Sequence, residues 1–368
     1  MPKLSVHLVT WNGVKYIPYL FESLRKQSFK DWELLVIDNG SGDGTSEAIE
    51  KELQSFPAPA RFVRNEKNLG FAHGHNQAVH ATQGEYIQLL NQDMYLAQDY
   101  FEKIVAMMEE HPEAGAGQGV LLKWDFGKAS SVERLASSNS LTDIVDTMGL
   151  KVMRNRRVAD WRTGKLLNNV IASGAKQSHR WGEEIATTPS VSRDDEVYEV
   201  FGVSGALPIY RRKAVEQVAF EGQMFDEDFF SYKEDVDLAF RLRAAGWKAY
   251  VDPQAQAWHD RSAAGPREMS DKAALQNRKT KSAFVNYHSY KNHVMVLLKN
   301  ENLANFARDW PWILWYEFKK FVYLLLLDRA TLKGLKEIKR LRPRTMQKRK
   351  FITSHYKLKP EEMRKWFC

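Results

Sequence analysis

Apolar, β-branched runs occur at Leu4–Val9, Leu34–Ile37, Arg61–Val63 and Tyr86–Leu90. Between them, apolar positions recur at helical spacing over Val14–Gln27, Ser46–Leu53 and His75–Ala81. Short apolar runs bounded by turn residues read as buried strands, and the 3.6-residue period reads as amphipathic helix. Strand–helix–strand repeats of this length predict an α/β fold with a mostly parallel sheet, flanking helices and right-handed crossovers. The turn "NGSGDGTSE" supplies glycines for tight backbone and Thr45 or Ser46 as a helix N-cap.

From about residue 127 to residue 200 the pattern loses its order. Ser-rich runs ("ASSVERLASSNS", "TTPSVSRDD") surround short extended pieces at Gly149–Met153 and Arg156–Trp161. We expect a hairpin-bearing insertion here that roofs a site on its acceptor side. Strand-like "YEVFGVSGALPIYRR" follows, then a helix over Asn277–Asn300 and a helical pair over Phe306–Arg342. The expected organisation is one catalytic domain over 1–300 and a helical tail over 301–368.

The strand ends carry the first chemical signal. Thr10-Trp11-Asn12 follows the first strand, Asp38-Asn39-Gly40 the second, Asn65 to Asn68 and then Gly70 the third, and Asn91-Gln92-Asp93 the fourth. Asn, Asp and Gly make turns in any protein. Four such clusters in register, however, sit where open parallel sheets bind ligands, at the carboxyl ends of their strands. Neither a Gly-x-x-x-x-Gly-Lys-Ser/Thr loop nor a Gly-x-Gly-x-x-Gly after the first strand is present, which removes support from ATP-type and dinucleotide readings. A nucleoside diphosphate can instead share its oxygens with Mg²⁺ or Mn²⁺. Asp93 suits such a cation, and His259 in "WHDRS" is a candidate second ligand, although a single His is as readily structural.

Charge divides the chain. The formal net charge is +8, yet residues 329–368 hold 14 Lys and Arg against 3 Asp and Glu, so the body is close to neutral. A basic tail is compatible with nucleic acid, but the neutral body argues against it and no nucleic-acid partner is expected. "WPWILWYEFKKFVYLLLL" (310–327) is apolar but interrupted by Glu317, Lys319 and Lys320, which argues against a membrane-spanning helix. An in-plane helix with its basic neighbour "KGLKEIKRLRPRTMQKRK" would suit an anionic membrane surface; the alternative is a helix docked on the catalytic domain. The single cysteine, Cys368, fits a reducing compartment, and the early strand pattern leads us to expect no signal peptide and a cytoplasmic, peripherally membrane-associated protein.

"FDEDFFSYKEDVDLAFRLRAAGW" mixes carboxylates and aromatic rings. Unpaired buried carboxylates are costly, so the acids need partners, and Arg241 and Arg243 are the local ones. A helix starting near Lys233 sets Glu234 and Asp235 at its amino end, where the helix dipole favours the ionised form.

Taken in order, "VTWNG", "VIDNGSGDGT", "NLGFAHGHNQA", "LLNQDM" and this acidic segment resemble the signature of glycosyltransferase family 2, on the nucleotide-sugar-binding GT-A fold. "EVFGVSGALPIYRR" and "NYHSYKNH" are similar to segments of the bacterial rhamnosyltransferase-like branch. The resemblance implies an inverting, metal-dependent sugar transfer from a nucleotide diphosphate donor to a hydroxyl of a glycan or lipid-linked acceptor in cell-surface polysaccharide synthesis. It favours dTDP-rhamnose as donor, with UDP-hexoses next. By the same resemblance Thr10, Asn12, Asp38, Asn68, Gly70, Asn91 and Asp93 hold the nucleotide sugar. Asp93, with His259, binds the cation, and Asp235 is the base with Glu234 beside it. Gly205, Phe230, Trp258 and Arg261 then border the acceptor and sugar, although Trp258, one of 11 Trp, reads first as core. The departure is Asn91, where the family's Asp-x-Asp motif has its first Asp. Other readings are a binding module with a dead sugar site and a nucleotidyltransferase, the latter lacking the Gly-rich and basic triphosphate site it needs.

Overall fold

The computed structural model describes residues 1–129, 131–132, 135, 139–177, 197–261 and 271–368. The N-terminal half alternates as its pattern predicts: β1 (Leu4–Thr10), α1 (Ile17–Arg25), β2 (Trp32–Asp38), α2 (Thr45–Leu53), β3 (Ala60–Arg64), α3 (Phe71–Ala81) and β4 (Tyr86–Asn91). β5 (Met94–Leu96), α4 (Tyr100–Glu110) and β6 (Ala114–Trp124) follow, then β7 (Leu141–Thr147), β8 (Leu150–Val152), β9 (Val158–Asp160) and α5 (Leu167–Gln177). β10 (Tyr198–Val200), β11 (Ile209–Arg211), α6 (Arg212–Val218), α7 (Glu234–Ala244) and β12 (Lys248–His259) complete the sheet region. Helices α8 (Asp271–Thr280), α9 (Ala283–Asn300), α10 (Leu303–Leu327), α11 (Lys333–Ser354) and α12 (Pro360–Arg364) close the chain.

The main sheet runs β10-β12-β6-β11-β4-β1-β2-β3, with β5 on β12 and β7 on β6. β3, β2, β1 and β4 are mutually parallel, so Thr10, Asp38 and Asn91 end on one edge. Beyond β4 the sheet becomes mixed, because β11 inserts antiparallel between β4 and β6. Alternation along β4 feeds two cores: Tyr86 and Leu90 join the layer with α1 and α4, while Ile87 and Leu89 face the other layer.

A third cluster decides where the tail goes. Phe229, Val236 and Phe240 pack with Met295 and Val296 of α9, Ile338 of α11 and Met363 of α12. The helices beyond residue 300 therefore share a core with α7. Basic residues of α9 and α11 supply the partners that the acidic segment requires. Lys299 reaches Asp226 at 2.6 Å and Asp237 at 3.0 Å, and Lys348 reaches Asp228 at 2.6 Å, all in buried or nearly buried positions. Asp237 also pairs with Arg241 at 2.9 Å, as its spacing predicts, but Arg243 turns to Glu199 at 2.6 Å.

Two local expectations need correction. The N-cap of α2 is Gly44, at φ +93°, because the Thr45 hydroxyl donates to Asp43 and the Ser46 hydroxyl to Asp38. The helix expected over Asn277–Asn300 is broken at Lys281, and Ser282 caps the second piece by accepting the Val285 N–H at 3.3 Å. Half of the Ser-rich run at 129–140, and all of "TTPSVSRDD", lie outside the described residues.

Candidate active site

A cavity of about 420 Å³ opens beside the sheet edge where β4 ends. One wall carries Asn91, Asp93 and His259, and another the loop and first turn of α7, including Glu234 and Asp235. The β8–β9 hairpin adds Arg157 and Asp160, the segment before β11 adds Ser204 and Gly205, and Arg261 and Lys281 complete the rim.

Asp93 and His259 are brought together by strand pairing. β5 runs antiparallel to β12 and sets His259 opposite Met94, the residue after Asp93. Asp93 Oδ2 then lies 3.4 Å from His259 Nε2. Asp146, at the end of β7, holds the other ring nitrogen, Nδ1, at 3.0 Å. Burial opposes charge on this ring, but Asp93 and Asp146 outweigh it and the imidazole is pushed up to about 9. Among the described residues no group of three or more His, Cys, Asp or Glu side chains forms a closed metal cage. The donor set fits a hard divalent cation that takes its remaining ligands from phosphate oxygens and water. An outer carboxylate on the far ring nitrogen is the usual way of orienting a ligating His.

Asp235 is held on the opposite side. Its Oδ2 accepts the Gly205 N–H at 3.0 Å and its Oδ1 accepts the Val236 N–H at 2.8 Å. Burial lifts its pKa above the usual carboxylate range, against the pull of the Gly205 N–H and the Lys233 charge. Burial and the neighbouring Asp235 charge push Glu234 further, to about 8, and its Oε2 meets no hydrogen-bond partner among the described residues.

The loop before α7 is strained: Phe230, Tyr232 and Lys233 all have positive φ, a region that costs free energy for non-Gly residues. Asn292, fully buried on α9, holds it by donating to the carbonyls of Phe229 at 3.0 Å, Ser231 at 2.9 Å and Tyr232 at 2.6 Å. The Phe230 carbonyl accepts the Ala72 N–H at 3.1 Å. Gly70, at φ +89°, permits this approach: a Cβ there would lie 2.7 Å from the Phe230 oxygen.

The remaining residues singled out from sequence fall in three places. Asn91, Gly205 and Arg261 line the cavity with Asp93 and Asp235. Arg261 is paired with Asp160 at 2.7 Å. Thr10, Asn12, Asp38 and Asn68 lie along the strand-end edge. Asp38 is fully buried, and its carboxylate accepts from the Ser41 and Ser46 hydroxyls, so its oxygens shape the loop. Thr10 donates to Gln92 at 2.6 Å, Asn12 accepts the Gly42 N–H at 2.9 Å, and Asn68 accepts the Gly70 N–H at 2.8 Å. Phe230 and Trp258 do not line the cavity. The Phe230 ring stacks on His288 at 5.4 Å, and Trp258 packs against Tyr95 and donates to the Thr142 carbonyl at 3.1 Å. Both half-buried rings pack against neighbours outside the cavity lining. Sequence reading missed Asp146, Asp160, Asn292 and Lys281; the first three bond groups distant in the chain, Lys281 meets the cavity only through the fold, and no local pattern marks them.

Residues 5–132 match the family described as Glycosyl transferase family 2. The chain is 26% identical over 292 residues to N-acetylglucosaminyl-diphospho-decaprenol L-rhamnosyltransferase of Mycobacterium tuberculosis, covering 78% of this chain and 85% of that one. It spans less than half the length of the first curated relatives it matches. Among solved structures it is similar to mannosyltransferase PcManGT from Pyrobaculum calidifontis in complex with GDP-Man and Mn²⁺, with a TM-score of 0.50, 17% identity, and 93% of this chain and 75% of that one covered. It is also similar to GalNAc-T7 with UDP, GalNAc and Mn²⁺, with a TM-score of 0.55, 14% identity, and 98% of this chain and 59% of that one covered. These likenesses identify the GT-A fold.

Proposed function

From the premise that this chain carries a glycosyltransferase family 2 domain, we propose that it is an inverting glycosyltransferase. It moves a sugar from a nucleoside diphosphate donor to a hydroxyl of a lipid-linked glycan acceptor in cell-surface polysaccharide synthesis. The observation that carries this reading is that Asp93 and Asp235 line one cavity. The acceptor oxygen bonds to the anomeric carbon as the bond to the diphosphate breaks, and Asp235 takes the hydroxyl proton. A positioned base of this kind contributes about 10²–10⁴ in rate. The Gly205 N–H fixes the carboxylate, and its raised pKa makes it a stronger base near neutral pH. Asp93 and His259 would hold Mg²⁺ or Mn²⁺, which neutralises charge on the departing diphosphate. No protein acid is required at the leaving group, unlike in glycoside hydrolysis.

The relative acting on a diphospho-decaprenol acceptor favours L-rhamnose from dTDP-rhamnose as the donor sugar, with UDP-hexoses as the alternative. The acceptor class has a second support. α10 exposes Trp310, Trp312, Trp315, Phe318, Leu326 and Leu327, with Trp315 60% and Leu326 67% exposed. Lys333, Lys336, Lys339 and Arg340 are exposed just beyond it. No helix among the described residues is long and apolar enough to cross a membrane. An apolar helix face beside exposed cations suits the plane of an anionic bilayer at the inner face of the cell membrane. Screening dTDP-, UDP- and GDP-sugars for transfer to a prenyl-diphosphate-linked sugar, with Mn²⁺, tests the reading. Absence of transfer from every donor would overturn it.

A further inference from the structure

The cavity holds more positive charge than its carboxylates neutralise by contact. Arg261 is paired with Asp160 and Asp146. Lys233 and Lys281 also line the cavity, yet no carboxylate lies within ion-pairing distance of either among the described residues. Burial and the nearby charges of Arg261 and Lys233 bring Lys281 down to about 8, and burial lowers Lys233 as well. Unpaired ammonium groups taken out of water cost free energy. An anionic ligand between them would offset that cost.

We infer that Lys233 and Lys281 bind the diphosphate of the acceptor, a prenyl-diphosphate-linked sugar; this rests on the glycosyl-transfer reading above. Three placements favour the acceptor over the donor. Lys233 stands two residues before Asp235, so it is on the wall that carries the base, whereas the donor's diphosphate belongs with the cation at Asp93 and His259. Lys281 lies in the break before α9, the helix whose Asn292 holds the loop on the wall of the base. Lys320 of α10 lies over the Tyr290 ring at 4.9 Å, next to Ser289 of the cavity lining, so this side of the cavity adjoins the helix with the exposed apolar face. A molecule with a sugar, a diphosphate and an apolar chain matches the order of base, lysines and apolar helix.

Equilibrium binding with defined probes separates the two diphosphate sources. Farnesyl diphosphate is expected to bind the full chain, and Lys281→Ala or Lys233→Ala to weaken it on the order of tenfold or more, since charge-assisted hydrogen bonds are lost. Lys281→Arg should restore most of the affinity, and farnesol should not distinguish the variants. UDP with Mn²⁺ should bind wild type and Lys281→Ala alike. If Lys281→Ala weakens UDP and leaves farnesyl diphosphate unchanged, the lysines serve the donor and the inference fails. Equal farnesyl diphosphate binding by all variants also refutes it. These measurements need no turnover, so they fail independently of the sugar-transfer screen that tests the parent reading.

Discussion

The Lys348 ammonium lies 2.5 Å from Asp226 Oδ1, so the last long helix neutralises the acidic segment that leads into α7. Both groups are buried. Removing one partner of a buried pair strands the other charge, at a cost of about 3–5 kcal/mol. Lys299 still reaches Asp226 at 2.6 Å, so Lys348→Ala should destabilise by roughly 2–3 kcal/mol, read from urea unfolding. Burial alone would raise the Asp226 pKa, but Lys299 and Lys348 hold it well below the usual range. Its contribution is therefore present above the unfolded carboxylate value and lost as pH falls through the folded one. A variant within about 0.5 kcal/mol of wild type would remove this pairing as a stabilising contact.

Asp235→Asn should lower kcat by about 10²–10⁴ while leaving the dissociation constant of the donor unchanged. Single-turnover kinetics and calorimetry check the two halves. Near-normal turnover excludes Asp235 as the base.

The adjacent Glu234 and Asp235 should give the rate a rising acid limb, because the base works only when ionised. Glu234, pushed up to about 8, stays protonated while Asp235 ionises, so Glu234→Gln should leave that limb in place; a limb that moves to lower pH would mean that Glu234 is charged beside the base. In stability the sign is opposite to that of Asp226. A carboxyl raised to about 8 in the fold stabilises fully below its unfolded value, near 4.3, and that contribution fades as pH rises through about 8. Unfolding of wild type and Glu234→Gln compared at pH 5 and pH 9 measures it.

Asp146 should matter without touching substrate, because it orients His259 through Nδ1. Asp146→Asn is expected to weaken Mn²⁺-dependent nucleotide binding about 10- to 100-fold, and Asp93→Ala to abolish the dependence on Mn²⁺. Titrations with Mn²⁺ and with EDTA decide. An unchanged metal requirement in Asp93→Ala removes that residue from the cation site.

Replacing Trp315, Phe318 and Leu326 together with Ser should sharply reduce binding to anionic vesicles, since each buried apolar side chain contributes about 1.5–3 kcal/mol. All three are exposed, so the fold should survive, as circular dichroism would report. Undiminished sedimentation with vesicles argues against α10 as the membrane face.

Local pattern alone determined the parallel order of β1, β2 and β4, the polar groups at their ends, and the start of α7 with Glu234 and Asp235 in its first turn. Those features follow from side-chain period and from turn and cap chemistry, which act over a few residues. Tertiary structure decided the rest. The pairing of β5 with β12 carries His259 to Asp93, and β7 brings Asp146 behind the ring. Asn292 and Lys348 reach back to the α7 loop and its acids. Phe230 and Trp258 turn into packing for the same reason: a ring's neighbours come from distant strands and helices. Such contacts depend on how whole elements dock, and no spacing along the chain encodes which partner a buried carboxylate, carbonyl or ring will meet.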